Sequence, residues 1–471
     1  MRINDMVART AAGMPHSLQR RLRGAYRYIS PSFPFGKIFR ETYDLLQESQ
    51  WWSRERLEEY QVRQLGMLLR HAYDNVPYYR RVFDERGLKP GDIQSMDDLK
   101  LLPCLTKDGF RENFRELLCE KAKVRFLPWE KTSGTSGKPL QFHTDDAVRQ
   151  KELAFVFHHW SRVGYRPEDK RVEMRGRLIP GNKPVEYDAV ANALRLSPRI
   201  EDVETTKFYI EKIAGFGAEY LHGYPSAVAD LAYHVKKHGL AVPFRLKAVL
   251  LASGPVFDWA RELVGEVFGC RVFCFYGMVE HVVTAGECEH SAAYHCSPQY
   301  GITEIDPETR EIMGTGFLNR VNPFIRYRTT DIASGVEATC GRCGRDYYPV
   351  IGGVEGRLAD YIITSRGLFG PSVFTYPFKG MKNVRESQII QEDLDRILVR
   401  IVPLEEIEGP DGLDETDLLR RELQRALGDG VRIDIEYVER IELTASGKFQ
   451  WIVSEVFRDL LEKDYPAAGQ T

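Results

Sequence analysis

A loop rich in glycine and hydroxyl groups offers the clearest chemistry in the sequence. It comprises Thr132, Ser133, Gly134, Thr135, Ser136, Gly137 and Lys138, and Pro139 follows it. Glycines let a backbone approach phosphate oxygens, hydroxyl and N–H groups donate to them, and lysine adds positive charge. A Walker A loop would need four residues between its glycines and Ser or Thr after the lysine. The loop therefore predicts phosphate binding by another kind of site, with a surface linker as the alternative.

Further downstream, four short segments carry side chains that could complete a nucleotide site. Tyrosine can stack on a base, aspartate can accept both hydroxyls of a ribose, and glutamate can bind Mg²⁺. Lysine and arginine can neutralise phosphate charge. The residues are Tyr276, Glu280, Asp331, Arg357 and Lys448. Taken one at a time, each is equally typical of a solvent-exposed turn or an ion pair.

A second group of residues has the chemistry of a metal site. Cys340 and Cys343 are separated by two residues, and glycine follows each of them, which is a common zinc geometry. Two further ligands could come from Cys288, His290, His295 and Cys296. Four protein ligands leave no open position for water, so such a site would be structural. Unbound reduced thiols are the alternative. The other cysteines are predicted to be small buried side chains: Cys104, Cys119, Cys270 and Cys274.

The elements around these residues indicate an α/β body. Residues 249–253 and 272–276 are short apolar runs, typical of buried parallel strands, and a helix over 258–267 lies between them. Tyr276 therefore ends a strand, at the position where ligands bind in open α/β sheets. Residues 299–333 predict further strands around Asp331.

A glycine-rich segment at 352–357 predicts a domain boundary. Beyond it, strands are expected near 388–391, 397–402 and 431–437, with a helix over about 415–427. Near the start, residues 41–86 predict two amphipathic helices that break at Asn75-Val-Pro77. We therefore predict a basic N-terminal extension (1–44), a large N-terminal domain (45–356) and a small C-terminal domain (357–471).

The composition is that of an ordinary globular protein, large enough for two or three domains. The chain has 471 residues, of which 43% are hydrophobic and 28% charged, and its formal net charge is −3. This balance favours neither a nucleic-acid nor a membrane partner. The first forty residues are basic, with Asp5 as the only acid, and predict a solvated or partner-facing helix. Eight cysteines are too few for a disulfide scaffold, so a reduced cytoplasmic setting is expected.

The order and spacing of these motifs resemble the adenylate-forming superfamily, which includes acyl-CoA synthetases, luciferase-like enzymes and peptide-synthetase adenylation domains. The chain is more similar to the phenylacetate–CoA ligase and CapK-like branch. The resemblance runs from about residue 45 to about 460 and includes the segments 71–80, 102–107, 223–226 and 343–345. It implies a large multi-layer α/β N-terminal domain and a small mobile α+β C-terminal domain.

The resemblance assigns roles in ATP binding to the first motifs. Thr132 to Lys138 would wrap the β- and γ-phosphates of ATP. Tyr276 would lie against adenine, with Gly277 nearby, and Glu280 would bind Mg²⁺.

The remaining motifs would serve the reaction itself. Asp331 would accept from the ribose hydroxyls, and Arg357 would support ribose and phosphate. Lys448 would neutralise the α-phosphate while the carboxylate attacks it. The resemblance thus implies ATP-dependent formation of an acyl-AMP from a small carboxylic acid, then transfer of the acyl group to CoA. It also implies a homodimer.

Family position also suggests the lining of an acid pocket and the choice of metal ligands. Aromatic and small residues would suit a flat aryl or arylacetic acid: Tyr220, His222, Tyr224, Pro225, Ala252, Ser253 and Gly254. A strand-to-helix turn with core aromatics, including a hydrogen-bonded core His222, is the alternative. The branch favours a zinc site of Cys288, His295, Cys340 and Cys343.

Three positions depart from the family pattern. Thr330 stands where glycine usually precedes the ribose aspartate, and Pro255 stands where the branch often has glutamate. Ala359 occupies the position of the hinge acid, for which Asp360 could substitute. The sequence therefore supports the adenylation step more strongly than the transfer of the acyl group to a thiol.

Three other functions stay open at this point. One is an amide ligase with an amine acceptor, and another is an adenylyltransferase similar to the synthetases that adenylylate a deazaflavin cofactor. The third is a non-catalytic protein that binds nucleotide and zinc, against which Glu280 and Lys448 argue.

Overall fold

The computed structural model describes most of the chain after residue 35. The described residues are 36–132, 140–175, 179, 183–188, 191–198, 200, 202–254, 256, 258–337, 340–345, 347–354, 362–369, 373–374, 377–378, 381, 383–384, 386–403, 410–442, 451–454 and 456. Of the predicted site residues, Ser133 to Lys138, Arg357 and Lys448 lie outside these ranges.

Between residues 146 and 277 helices are interleaved with strands, which confirms the α/β class. The main α-helices are α1 (Lys37–Ser49), α2 (Arg54–Asn75), α3 (Pro77–Glu85), α4 (Lys107–Glu112), α5 (Asp146–Ser161), α6 (Val203–Phe216), α7 (Pro225–Lys237), α8 (Asp258–Phe268) and α9 (Pro410–Leu427). Short 3-10 helices cover Pro90–Asp92, Asp97–Leu101 and Val124–Phe126. Within the described residues, no helix has both the length and the apolar character needed to cross a bilayer.

The strands begin at residue 129. They are β1 (Trp129–Lys131), β2 (Gln141–His143), β3 (Arg171–Met174), β4 (Val185–Asp188), β5 (Ala193–Leu196), β6 (Tyr220–Gly223), β7 (Ala248–Ala252), β8 (Arg271–Gly277), β9 (Thr284–Glu287), β10 (Tyr294–Cys296), β11 (Gly301–Ile305), β12 (Glu311–Gly316), β13 (Tyr327–Ile332), β14 (Val336–Glu337), β15 (Val350–Ile351), β16 (Ile362–Thr364), β17 (Gly367–Phe369), β18 (Glu386–Asp393), β19 (Arg396–Val402), β20 (Arg432–Tyr437) and β21 (Ile452–Ser454).

The chain forms two compact units. The first spans Met1–Thr132, Leu140–Glu168 and Phe273–Glu355, and the second spans Ser133–Pro139, Asp169–Val272 and Gly356–Thr471. The predicted domain boundaries at 44/45 and 356/357 stay predictions.

The helices of the first unit follow from local signals in the sequence. The Ser53 hydroxyl caps α2 by accepting from the backbone N–H of Arg56, and Pro77 begins α3 at the first helical position. The predicted break at residues 75–77 is confirmed, but residues 37–85 form three helices rather than two. The additional break falls at residues 50–53, between α1 and the cap of α2. The apolar faces of these helices bury Leu46, Leu65 and Leu69 in the core of the unit.

The strands of the first unit hold Tyr276 and Asp331, two of the residues predicted to bind a nucleotide. Strands β11, β12 and β13 form an antiparallel sheet, as the region 299–333 predicted. Strands β8, β9, β10, β15 and β14 pair in that order, each antiparallel to the next. Tyr276 lies near the end of β8 and Asp331 near the end of β13.

In the second unit, a mainly parallel sheet holds the residues predicted to bind the acid. Its order is β7, β6, β3, β5 and β4; only the β4–β5 pair is antiparallel. The strand at 248–252, the helix at 258–268 and the strand at 271–277 agree with the predicted β–α–β order. Strands β6 and β7 are buried along their whole length, as their apolar sequences require.

The C-terminal part of the second unit is α+β, as predicted. Strands β20, β19, β18 and β21 form one sheet in that order, in which only β18 and β19 run antiparallel. The apolar face of α9 contributes Leu419, Leu423 and Leu427 to a core shared with Ile389 and Val399 of this sheet.

The four cysteines outside the predicted metal site do not all behave alike. Cys119 and Cys274 are buried, as predicted. The prediction is wrong for Cys104 and Cys270, which are only partly covered. Both lie in connecting segments, which run along the surface of a protein.

Candidate active site

Tyr276 and Asp331, two of the residues predicted to bind a nucleotide, are hydrogen-bonded to each other. The Tyr276 hydroxyl donates to Asp331 Oδ2 over 2.6 Å. Desolvation and the neighbouring Asp331 charge raise the pKa of Tyr276 well above its ordinary value, so this hydroxyl keeps its proton and is the donor. Desolvation also raises the pKa of the Asp331 carboxyl, while the hydrogen bond from Tyr276 opposes that shift.

Glu280 is held by the hydroxyl of a second tyrosine. Tyr327, at the start of β13, donates its hydroxyl to Glu280 Oε1 over 2.9 Å, and the Glu280 side chain is buried. Burial and the Glu280 charge raise the pKa of Tyr327, which therefore also acts as the donor. The second carboxylate oxygen of Glu280 has no hydrogen-bond partner within the described ranges. Strand β13 thus contributes both the aspartate and the tyrosine that orients the glutamate.

Three polar residues that no motif indicated form a hydrogen-bonded group near Glu280. The Tyr300 hydroxyl donates to Glu152 Oε2 over 2.5 Å, and His281 Nδ1 lies 3.1 Å from the same oxygen. His281 follows Glu280 in the chain and has a left-handed backbone with φ 56°. Its buried ring therefore anchors the backbone next to the glutamate. Glu152 is on α5, more than one hundred residues earlier, so no local pattern could have connected it to this site.

The residue before Asp331 has an unusual backbone. Thr330 has φ 70°, a region that β-branched residues rarely adopt. Its N–H donates to Glu311 Oε1 over 2.9 Å, and its hydroxyl lies 3.4 Å from Lys107 Nζ. Lys107 ends the segment 102–107, which carries part of the family resemblance, but the resemblance implies no role for it. Its positive charge favours the ionised form of Asp331 and so lowers the pKa of that carboxyl.

At the mouth of the predicted phosphate loop, Thr132 is buried and paired with Leu140. The Thr132 N–H donates to the Leu140 carbonyl over 2.9 Å, and the Leu140 N–H donates to Thr132 Oγ1 over 2.8 Å. These two bonds close the base of the seven-residue segment between them.

Six of the seven residues predicted to line the acid pocket lie within the last two residues of β6 and β7 or directly after these strands, whereas Tyr220 lies at the start of β6. Pro225 begins α7, and a Cβ on Gly254 would lie 3.4 Å from Pro225 Cδ, so the two segments are in contact. Ser253 has φ 67°. Tyr220 is fully covered, and Ala252 and Tyr224 are buried.

His222 has the environment of a core histidine. Its Nδ1 lies 2.8 Å from the carbonyl oxygen of Leu250 on the neighbouring strand. Burial, assisted by the charge of Arg175, lowers the pKa of His222 to about 3, so the ring is neutral. This environment favours the interpretation of His222 as a hydrogen-bonded core residue over its interpretation as a substrate contact.

The four preferred metal ligands come together in the first unit. The ligand atoms of Cys288, His295, Cys340 and Cys343 all lie within 4.8 Å of one another. The Sγ atoms of Cys288 and Cys340 are 3.7 Å apart, and Cys343 Sγ is 3.4 Å from His295 Nε2. Tetrahedral ligands at Zn–S and Zn–N bond lengths would be separated by about 3.4–3.8 Å. The donor set and its spacing therefore fit Zn²⁺.

The loop around Cys340 and Cys343 also has the predicted geometry. Gly341 and Gly344, which follow the two cysteines, have φ 62° and 74°, so both positions need glycine. The two alternative ligands are outside the cluster. His290 donates its backbone N–H to Cys288 Sγ over 3.3 Å, and burial raises the pKa of Cys296 to about 12.

Comparison with known proteins finds relatives over most of the chain. Residues 362–455 match the family model of the CapK C-terminal domain. Protein CapK of Staphylococcus aureus is 24% identical over 446 residues, which cover 91% of this chain and 94% of that protein. Phenylacetate-coenzyme A ligase of Aromatoleum evansii is 36% identical over 296 residues, which cover 59% of this chain and 67% of that protein.

A solved structure has the same fold. 2-Hydroxyisobutyryl-CoA ligase, in complex with 2-HIB-AMP and CoA in the thioesterification state, aligns with a TM-score of 0.57 at 20% identity. The alignment covers 88% of this chain and 94% of that one. The chain therefore belongs to the adenylate-forming ligase superfamily, in the branch of CapK and the phenylacetate–CoA ligases, and is an AMP-forming, acid–CoA ligase-like enzyme.

Proposed function

We propose that the protein uses ATP to convert an aryl or arylacetic acid to its acyl-AMP and then transfers the acyl group to CoA. One observation carries the nucleotide half of this proposal: two carboxylates of the first unit, Asp331 and Glu280, each accept a hydrogen bond from a tyrosine hydroxyl. A relative named phenylacetate-coenzyme A ligase supports the acid and the acceptor.

In this proposal each carboxylate has a separate task. Asp331 has Oδ2 occupied by Tyr276, which leaves Oδ1 to accept from ribose hydroxyls, while the Tyr276 ring faces the base. Glu280, with one oxygen held by Tyr327, would bind Mg²⁺ through the other. The ion, when bound, would neutralise charge on the ATP phosphates. Because both carboxylates are oriented before ATP arrives, little reorganisation is needed when charge develops.

The other residues complete the reaction as the family resemblance assigns them. The loop from Thr132 to Lys138 would hold the β- and γ-phosphates, and Arg357 would contact ribose and phosphate. Lys448 would approach the α-phosphate as the acid carboxylate attacks, so that pyrophosphate leaves. The chemistry is positioning and charge stabilisation, with no covalent bond between protein and substrate.

Pyrophosphate release tests the proposal. We would measure it with a panel of aryl and arylacetic acids, with and without CoA, and follow CoA consumption and the products. We expect acid-dependent release of pyrophosphate and CoA-dependent formation of thioester. Acid-dependent release without CoA consumption would favour an amine acceptor, and a stable AMP adduct of the substrate would favour an adenylyltransferase. If no acid supports release, the proposal is wrong.

We further propose that Cys288, His295, Cys340 and Cys343 bind a structural Zn²⁺. The Cys₃His donor set, the ligand spacing and the two glycines with positive φ support it. The ion would connect the segment around β10 to the loop at 340–344.

Metal analysis of the purified protein tests the zinc proposal, and we expect one zinc per chain. Cys340→Ser should lower the zinc content and the melting temperature, because three remaining ligands hold the ion less well. Cys104→Ser is the matched control: Cys104 is also partly covered but lies outside the cluster, so zinc content should not change. A wild-type protein without zinc would show that the proposal is wrong.

A further inference from the structure

Three neighbouring parallel strands of the second unit end at the same edge of the sheet, and an arginine follows one of them. Strands β3, β6 and β7 are adjacent and parallel, and Arg175, Tyr224 and Ser253 are the residues that follow them. Ligands of open α/β sheets bind at such carboxyl ends. Tyr224 and Ser253 belong to the predicted acid pocket, so Arg175 lies beside that pocket.

The backbone fixes Arg175 next to Tyr224. The Tyr224 N–H donates to the Met174 carbonyl over 2.9 Å, which ties the end of β6 to the end of β3. Gly223 permits this close approach, because a Cβ there would lie 2.7 Å from Met174 O. The Arg175 guanidinium carbon is 5.8 Å from the centre of the Tyr224 ring. A cation and an aromatic face are therefore presented together.

The carboxylate of the nearby Glu173 forms ion pairs with two other arginines. Arg171 Nη2 lies 2.6 Å from Glu173 Oε1, and Arg195 Nε lies 3.5 Å from Glu173 Oε2. Burial opposes ionisation of Glu173, but the arginines, Arg171 foremost and Arg175 at longer range, lower its pKa to about 2. Glu173 is thus ionised and in direct contact with two cations.

Arg175, in contrast, forms no ion pair within the part of the chain that the structure describes, and its side chain is exposed. Of the three described residues that directly follow these strands, it is the charged one. His222 is neutral, and the other pocket residues are apolar, aromatic or hydroxylated. A guanidinium without a carboxylate partner, next to an aromatic ring, is suited to bind an anionic group on an aryl ligand.

We infer that the acid activated by this enzyme carries a second anionic group, and that Arg175 binds it. This inference rests on the proposed function and refines the substrate class from an aryl acid to a dianionic acid. One carboxylate would be adenylated, while the Arg175 guanidinium would pair with the remote carboxylate, sulfonate or phosphate. Arg175 would thus determine specificity without taking part in the adenylation step.

The test compares acids that differ only in the second charge. Pyrophosphate release would be measured with phenylacetate, 4-carboxyphenylacetate, 4-sulfophenylacetate and 4-phosphonooxyphenylacetate, for the wild type, Arg175→Met, Arg175→Lys and Arg245→Met. Arg245 is the matched control, because it is exposed and forms no ion pair among the described residues. The para substituent of the acid with the highest kcat/KM identifies the kind of anion that Arg175 binds.

We expect the wild type to prefer a dianionic acid over phenylacetate. Arg175→Met should reduce this preference by about 10- to 100-fold through a higher KM for the dianionic acid, since a charge-assisted hydrogen bond is lost. Arg175→Lys should restore part of it, and Arg245→Met should leave it unchanged. Equal use of phenylacetate by the wild type, or a rise in the KM for ATP or CoA in Arg175→Met, would overturn the inference.

Direct binding separates this inference from the proposed function. Calorimetric titration of the same acids, without ATP, should show that the wild type binds a dianionic acid and that Arg175→Met binds it at least tenfold more weakly. Such binding without any pyrophosphate release would contradict the proposed reaction but support the anion site. If the enzyme turned over phenylacetate and Arg175→Met changed the binding of no acid, the proposed reaction would be supported and the anion site would be contradicted.

Discussion

The nucleotide region, comprising residues 276–280 and 327–331, and the acid region, comprising residues 175, 220–225 and 252–254, hold their charges in different ways. In the nucleotide region both carboxylates accept hydrogen bonds from tyrosine hydroxyls: Asp331 from Tyr276, and Glu280 from Tyr327. In the acid region the only charged side chain contacts an aromatic face. The carboxylates of the nucleotide region are therefore oriented before a ligand binds. The charge of Arg175 in the acid region, in contrast, is available to pair with a ligand.

The difference has a physical cause. A buried carboxylate loses its hydration and must be hydrogen-bonded within the protein, which restricts the residues that can surround it. An exposed guanidinium keeps its hydration and needs no such partner. We therefore expect removal of a carboxylate charge in the nucleotide region to reduce activity with every acid, and removal of the Arg175 charge in the acid region to change which acid is used.

The largest effect is expected from Glu280→Gln. The amide keeps the size of the side chain and can still accept from Tyr327, but it removes the negative charge proposed to bind Mg²⁺. Adenylation should fall by about 10²- to 10³-fold with every acid tested. The measurement is acid-dependent pyrophosphate release as a function of Mg²⁺ concentration.

Glu308→Gln, in the exposed turn between β11 and β12, is the control and should keep wild-type activity. If Glu280→Gln instead slowed one acid and left another unaffected, Glu280 would belong to the acid region, and the comparison between the two regions would fail.

An effect of intermediate size is expected from Tyr276→Phe, which should change how the KM for ATP depends on pH. Asp331 must be ionised to accept from both ribose hydroxyls, and desolvation raises its pKa above the ordinary value. The KM for ATP should therefore rise as the pH falls through this raised pKa. Tyr276→Phe keeps the ring but removes the hydrogen bond that favours the ionised carboxylate, so the rise should begin at a higher pH than in the wild type.

The pH profile of the KM for ATP checks this prediction, with Tyr73→Phe as the control. Tyr73 also donates its hydroxyl to an aspartate, Asp84, but that pair is exposed and belongs to neither region. Identical profiles for Tyr276→Phe and the wild type would show that the hydrogen bond does not tune Asp331.

The two regions also differ in how far the sequence could predict them. The strands that carry Tyr276 and Asp331 were predicted from apolar runs and turn residues, because such patterns are local. The hydrogen bond between these residues depends on how β8 and β13 are brought together, which no local pattern encodes. Glu152 and Arg175 were missed for the same reason: neither belongs to a motif, and their positions follow from strand and helix packing.

The zinc cluster was easier to predict, because its knuckle is local. Two cysteines at fixed spacing, each followed by glycine, already define half of a tetrahedral site, and the structure brings Cys288 and His295 to it. The C-terminal strands and helix were also predicted, since each has its own periodicity.

The smallest effect is expected from two residues with positive φ, one in each region. Thr330, in the nucleotide region, has φ 70°, and Ser253, in the acid region, has φ 67°. A β-branched residue is the more strained in this conformation. Thr330→Gly should relieve strain of about 1–3 kcal/mol, offset by about 0.5–1 kcal/mol from the greater freedom of glycine in the unfolded chain.

The net result should be a stabilisation of about 1 kcal/mol for Thr330→Gly, seen as a higher urea midpoint, and a smaller change for Ser253→Gly. The Thr330 N–H can still donate to Glu311 in the variant, so the backbone bond that supports this part of β13 is kept. Equal midpoint shifts for the two variants would mean that the branched side chain adds no strain. In that case the nucleotide region would differ from the acid region in its hydrogen bonds alone and not in its backbone.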